Sequence, residues 1–304
     1  MRPGNKHTGM AEPPPFALPL KLRSEQSCRY PSGYSEIKLQ QKIQNLKGVA
    51  MAVNGIDVSK WQGEINWQKA KSAGAQFAII RAGSIDNVAG NCYEDTQFRR
   101  NAELAPSVMP VGFYWYFRPN WNAITQADFF CDLIQDKNWK IYPVIDVEEH
   151  AAMTKTAVAS AVWSFTNRVY QRFNVRPMIY TSPGFWNSRV ARNTWARDFP
   201  LWVAHWNTNM PTLPDDWKNY AVPYRFWQTH VGQDGPDYGM QSKGLDHDVY
   251  NGEWEQFVRE FNLTEPEPEP EPETMFVDDF VIEKLYPLMV ERWGYTGPRP
   301  VKRP

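Results

Sequence analysis

Tyr142-Pro143-Val144-Ile145-Asp146-Val147-Glu148 is an apolar run that ends in two carboxylates at alternate positions. Its length and apolarity read as a buried strand over 141–147, with the catalytically interesting residues at its far end. Working outward, comparable short apolar runs occur at 53–58, 77–82, 111–117, 178–181, 201–204, 225–228 and 245–249. Amphipathic helical patterns lie between them at 67–73, 96–105, 123–136, 155–173 and 183–189. Strand–helix alternation predicts a mainly parallel sheet, and its repetition favours a closed barrel over a sandwich. The later strands lack long helices between them. The predicted fold is therefore α/β: an irregular, single-domain β/α (TIM-like) barrel spanning 51–263.

The flanking segments read differently. Residues 1–50 form a basic arm whose Pro13-Pro14-Pro15 argues against regular structure, apart from a short helix around 35–46. From Glu265 to Glu273, Glu and Pro alternate. Proline holds such a segment near polyproline II and like charges extend it, so 264–274 is a semi-rigid linker. Beyond it, Phe276, Val277, Phe280, Val281, Leu285 and Leu288 fall on one helical stripe, followed by a basic tail. The reading is a short helix and tail over 275–304, too small to bury a core alone.

Composition narrows the function. The net charge of −1 in 304 residues gives no global basic field, so nucleic acid is not an expected partner. No run approaches the roughly 18 apolar residues of a membrane span. The segment Phe16-Ala17-Leu18-Pro19-Leu20 is too short and Pro-rich for a secretory h-region, so the expectation is synthesis in the cytoplasm and release to the site of action. Cys28, Cys92 and Cys131 are widely spaced and odd in number, giving neither a disulfide framework nor a C-x-x-C metal site. The 14 Trp exceed what a core of this size needs, and indole faces match the C–H faces of pyranose rings.

In a parallel barrel the loops after the strands build the active site, so carboxylates at strand ends matter most. Asp57 ends the first strand, Asp146 and Glu148 the fourth, and Asp246 and Asp248 belong to the last. Residues i and i+2 leave a strand on the same face, so Asp146 and Glu148 are neighbours by construction. Two adjacent carboxylates in a partly dry site cannot both ionise comfortably. Glycoside hydrolysis needs that division between a proton donor and an ionised partner. Glu148, longer and nearer the opening, is the expected acid; Asp146 is expected to stay ionised. A bare D-x-E is weak evidence, and metal-dependent chemistry by the same carboxylates is the rival. However, His150, His205, His230 and His247 show no H-x-x-x-H spacing. A chitinase-type D-x-x-D-x-D-x-E pattern fails because Ile141 and Val144 stand where Asp is required. A non-catalytic glycan-binding barrel is disfavoured by the intact Asp57, Asp146 and Glu148.

Taken in order, several segments resemble the glycoside hydrolase family 25 lysozymes, the Chalaropsis-type muramidases of bacterial autolysins and phage endolysins. They are Gly55-Ile56-Asp57-Val58-Ser59-Lys60-Trp61-Gln62-Gly63, Val111-Gly112-Phe113-Tyr114-Trp115-Tyr116, the opening stretch, Pro177-Met178-Ile179-Tyr180-Thr181-Ser182, Leu201-Trp202-Val203-Ala204, Phe226-Trp227-Gln228-Thr229 and Leu245-Asp246-His247-Asp248. The resemblance implies an irregular barrel that cleaves the β-1,4 bond between N-acetylmuramic acid and N-acetylglucosamine in peptidoglycan glycan strands, with net retention and no cofactor or metal. By position it implies Glu148 as general acid, Asp146 as the partner carboxylate assisting the substrate's N-acetyl group, and Asp57 on the cleft floor. It places Tyr116, Tyr180, Trp202 and Trp227 along the sugar cleft, and assigns a further late aspartate to Asp246, with Ser242 as the competing position. The family's Lys-x-Ser/Thr-Glu-Gly segment reads here Arg81-Ala82-Gly83-Ser84-Ile85. Arg81 is thus the substrate-side candidate on the second strand, and the usual glutamate is missing there.

Overall fold

The computed structural model describes residues 52–263 and, in the C-terminal piece, 276–277, 287, 291 and 301–302. The basic arm and the Glu-Pro linker lie outside the described residues. Eight strands close the barrel: β1 (Val53–Val58), β2 (Phe77–Ile85), β4 (Val111–Tyr116), β5 (Val144–Asp146), β6 (Met178–Thr181), β7 (Leu201–Ala204), β8 (Phe226–Gly232) and β9 (Leu245–Tyr250). A short β3 (Cys92–Glu94), not predicted, folds back on the end of β2. From β1 round to β8, neighbouring strands are parallel. The last strand, β9, runs antiparallel to both β8 and β1 and closes the ring. A turn-and-loop return without a crossover helix forces this reversal, because only parallel neighbours need a long crossover.

Helices α1 (Trp67–Ser72), α2 (Phe98–Leu104), α3 (Ala123–Ile134), α4 (Lys155–Phe173) and α5 (Pro183–Arg189) follow β1, β2–β3, β4, β5 and β6. The longest, α4, shows why its boundaries were legible. Thr154 caps it by accepting from the Ala157 amide, and Asn174 ends it in the left-handed region at φ 54°. Between these caps, Val158, Val162, Phe165 and Val169 form one buried stripe against the barrel. Two further helices, α6 (Asp215–Lys218) and α7 (Trp254–Glu260), were not foreseen.

Strand alternation divides the core in two. Outward residues such as Ile80, Phe113, Ile145 and Val203 pack under the helices. Inward residues Val53, Phe77, Ile79, Val144, Met178 and Phe226 fill the lower barrel. Gly55 faces inward beneath the Phe77 ring, where any Cβ would overlap it. The lower end is stoppered by α7: Phe257 and Phe261 enter the inner cluster. Glu260 accepts from the hydroxyls of Tyr142 (3.1 Å) and Tyr250 (2.6 Å). That plug leaves the opposite end, where the parallel strands finish, as the open one.

Strand β5 is shorter than predicted. Pro143 has no N–H to donate to the ladder, so regular pairing begins at Val144. In the C-terminal piece, Phe276–Val277 pair in parallel with Val301–Lys302. Those two members of the expected helical stripe are therefore extended, whereas Pro287 and Glu291 are helical. Among the described residues, no helix is long and apolar enough to cross a membrane.

Candidate active site

At the open end the inward positions turn polar. Asp57, Arg81, Asp146, Tyr180, Gln228 and Asp246 line a 290 Å³ cleft. Each stands on the inward side of its strand. Asp246 reaches this end although it begins its strand, because β9 runs the other way and sets Asp246 directly opposite Asp57. Two residues deeper, Asp248 is buried among the same groups. Glu148 follows β5 on the same face as Asp146 and lines both this cleft and a 620 Å³ groove bordered by Pro183, His205 and Trp206.

The cleft holds more carboxyl groups than positive charges to balance them. Burial raises Asp57 well above the ordinary carboxylate range, and the charges of Asp246, Asp248 and Asp146 add to it, while a hydrogen bond from Gln228 opposes. Burial likewise lifts Asp248, with the hydrogen bond from Trp202 opposing and the charge of Asp246 adding. Asp146 is pushed up strongly by burial and by Glu148, against the pull of Arg81. Glu148 is raised by burial, with Tyr116 opposing and Glu149 and Asp246 adding. Asp246 rises to about 6 through burial, against the pull of His247. Asp146 lies on the floor while the Glu148 side chain reaches the exposed lip, so desolvation falls harder on Asp146.

Hydrogen bonds fix these groups. The Gln228 amide donates to Asp57 Oδ2 at 2.7 Å. The Trp202 indole donates to Asp248 Oδ1 at 2.8 Å. Tyr116 donates to Glu149 at 2.9 Å, and Arg118 lies 2.6 Å from the same carboxylate. Arg81 is turned toward Asp95, with Nε and Nη2 each 2.6 Å from Oδ2. Asp95 also accepts from the amides of Lys60 and Gln97. Arg81 thus lines the cleft while tying β2 to the loop after β1. Asp146 Oδ1 and Asp248 Oδ2 are buried without a hydrogen-bond partner among the described residues.

Of the residues singled out from sequence, Asp57, Arg81, Tyr116, Asp146, Glu148, Tyr180, Trp202 and Asp246 meet at the cleft. Trp227 does not. It points outward between Phe226 and Gln228, packs under the helices and donates to His205 O at 2.8 Å. Ser242 is not in the cleft lining; its hydroxyl lies 3.5 Å from Gly244 O. Sequence reasoning missed Gln228, Trp206 and Trp61 as cleft residues, and named Asp248 only as a carboxylate of the last strand. Alternation sets Gln228 opposite Trp227 without saying which of them faces in, whereas the i, i+2 rule applied to Asp146 and Glu148 also pairs Asp246 with Asp248. Among the described residues, no group of three His, Cys, Asp or Glu side chains is placed to hold a metal ion.

Residues 56–234 match the family model for glycosyl hydrolases family 25. The chain belongs to glycoside hydrolase family 25. It is 33% identical over 215 residues to lysozyme M1 of Streptomyces globisporus, covering 66% of this chain and 68% of that one. It is 25% identical to the N,O-diacetylmuramidase of a Chalaropsis species, covering 66% and 96% respectively. Among solved structures, the bacterial lysozyme of Streptomyces coelicolor superposes with a TM-score of 0.59 at 29% identity, over 71% of this chain and all of that one. This family 25 chain is therefore a glycoside hydrolase.

Proposed function

We propose that this family 25 enzyme is a peptidoglycan hydrolase that cuts the β-1,4 bond between N-acetylmuramic acid and N-acetylglucosamine. The observation that carries the reading is the position of Glu148. It stands at the junction of the 290 Å³ cleft and the 620 Å³ groove, where a bond joining two seated sugars would lie. Its raised pKa keeps it protonated to higher pH than an ordinary glutamate, as a general acid requires.

Glu148 donates its proton to the bridging oxygen as the C1–O bond breaks, and the leaving sugar departs as an alcohol. Asp146, lining the cleft floor, receives the acetamido N–H of the sugar on the other side. That contact favours ionised Asp146 and aims the acetamido oxygen at C1, where it bonds and spreads the positive charge. Water then attacks C1 and displaces the acetamido oxygen, with its proton passing to Glu148, which restores the acid and gives net retention. Asp57 supports this floor from β1, and Tyr180 and Trp202 supply the wall behind it.

The bond is identified by mass spectrometry of fragments released from purified peptidoglycan. New reducing ends on N-acetylmuramic acid support the reading; ends on N-acetylglucosamine would sink it. Glu148→Gln is expected to lower turnover by roughly 10²–10⁴-fold with the protein still folded.

A further inference from the structure

Gln228 is buried on the inward face of β8 with both ends of its amide hydrogen-bonded. Its Oε1 accepts from the Tyr180 hydroxyl at 2.9 Å and from the Trp206 indole N–H at 2.8 Å. Its Nε2 donates to Asp57 Oδ2 at 2.7 Å. An amide oxygen offers two lone pairs, and both are used. Turning the amide over would set its NH₂ against the Trp206 indole N–H, which can only donate, and its oxygen against the Asp57 carboxylate, so one orientation is held. Trp206 is itself held: the amides on either side of it, His205 and Asn207, donate to the carbonyls of Gln228 (3.2 Å) and Thr229 (3.1 Å). Yet the Trp206 side chain is 49% exposed and borders both the cleft and the groove. A half-exposed indole is thus linked to the buried Asp57 carboxyl through a single buried amide.

We propose that Gln228 is the positioning residue of Asp57, and that the indole N–H of Trp206 sets which way Gln228 faces. Trp206 then has two separable functions, an exposed ring face and an inward N–H. The inference rests on the hydrolytic reading for its kinetic consequence, but the geometry of the relay does not depend on it.

The groups facing Asp57 are Asp146 of β5, Asp246 and Asp248 of β9, Tyr114 of β4 and Tyr180 of β6. The nearby cation, Arg81 of β2, is paired with Asp95. The Gln228 donor is therefore the main influence holding the Asp57 carboxyl down against its acidic neighbours, and weakening it moves Asp57 further up.

Trp206→Phe keeps an aromatic ring face and removes the N–H. In the free protein, ¹³C NMR titration of the Asp57 carboxyl, assigned by its loss in Asp57→Asn, is expected to shift to a higher midpoint in Trp206→Phe. In peptidoglycan hydrolysis kcat should fall about fivefold, the worth of one net hydrogen bond, with KM nearly constant. Gln228→Leu should shift the same midpoint further, and Trp206→Phe added to Gln228→Leu should change nothing more. An unmoved Asp57 midpoint in Trp206→Phe would overturn the relay, as would additive effects in the double variant. If Gln228→Leu fails to fold, the Trp206→Phe titration alone decides. Wild-type protein that released no reducing ends would defeat the hydrolytic reading, and the titration would still judge the relay.

Discussion

Asp57 and Asp246 face each other as direct partners across the antiparallel β1–β9 ladder, and both carboxyls point into the barrel. Like charges at directly opposed strand positions are destabilising, and the interior leaves little water to screen them. The pairing serves the site at the expense of the fold.

Asp246 shows the consequence for stability. Its pKa is raised to about 6 from a reference of 3.8, so the folded state binds the proton more tightly than the unfolded chain. For a carboxyl raised in this way, stability is fully present below the unfolded value and is lost as pH rises through the folded one. Asp246→Asn is therefore expected to raise stability at pH 7 by about 1 kcal/mol, after discounting the shift for solvent screening, and to give no gain at pH 3. Urea denaturation at the two pH values checks the sign.

Glu149 neighbours the acid in sequence and, while ionised, raises the pKa of Glu148. Glu149→Gln removes that charge and leaves the barrel untouched. The alkaline limb of the kcat/KM profile should move to lower pH, because Glu148 then gives up its proton more readily. An alkaline limb that stayed in place would show that Arg118, 2.6 Å from Glu149, already neutralises it.

The Arg81–Asp95 pair is buried, with side-chain exposures of 10% and 1%. Removing one partner leaves the other uncompensated, so Arg81→Met should cost about 3 kcal/mol. The Arg81→Met/Asp95→Asn double variant should recover much of that loss. Activity should not return with stability, because Asp146 loses the charge that opposes its upward shift. Thermal melts and turnover of the two variants separate these effects.

Trp202 and Trp227 look alike in sequence but face opposite sides of the barrel wall. Trp202→Phe strips Asp248 of its indole donor and should lower both stability, by about 1–2 kcal/mol, and turnover. Trp227→Phe loses only a bond to His205 O, so kcat and KM should stay near wild type while stability drops by about 1 kcal/mol. A raised KM in Trp227→Phe would contradict its outward placement.

Much of this was written in local pattern. The alternation in Val144-Ile145-Asp146-Val147-Glu148 already put Asp146 and Glu148 on one face, and the amphipathic pattern over 155–173 already marked the long helix. The order of strands and helices was enough for a barrel with carboxylates at its strand ends. What local pattern lacks is direction and partner. Alternation states that Trp227 and Gln228 face opposite ways, but not which of them faces in. Only the closed ring decided that, by turning Phe226 and Gln228 to the interior. The reversal of β9 is likewise invisible locally, since a strand's apolar period is the same in either direction. That reversal set Asp246 against Asp57, drew Asp248 in beneath them and brought the Gln228 amide within 2.7 Å of Asp57 across 171 residues of chain.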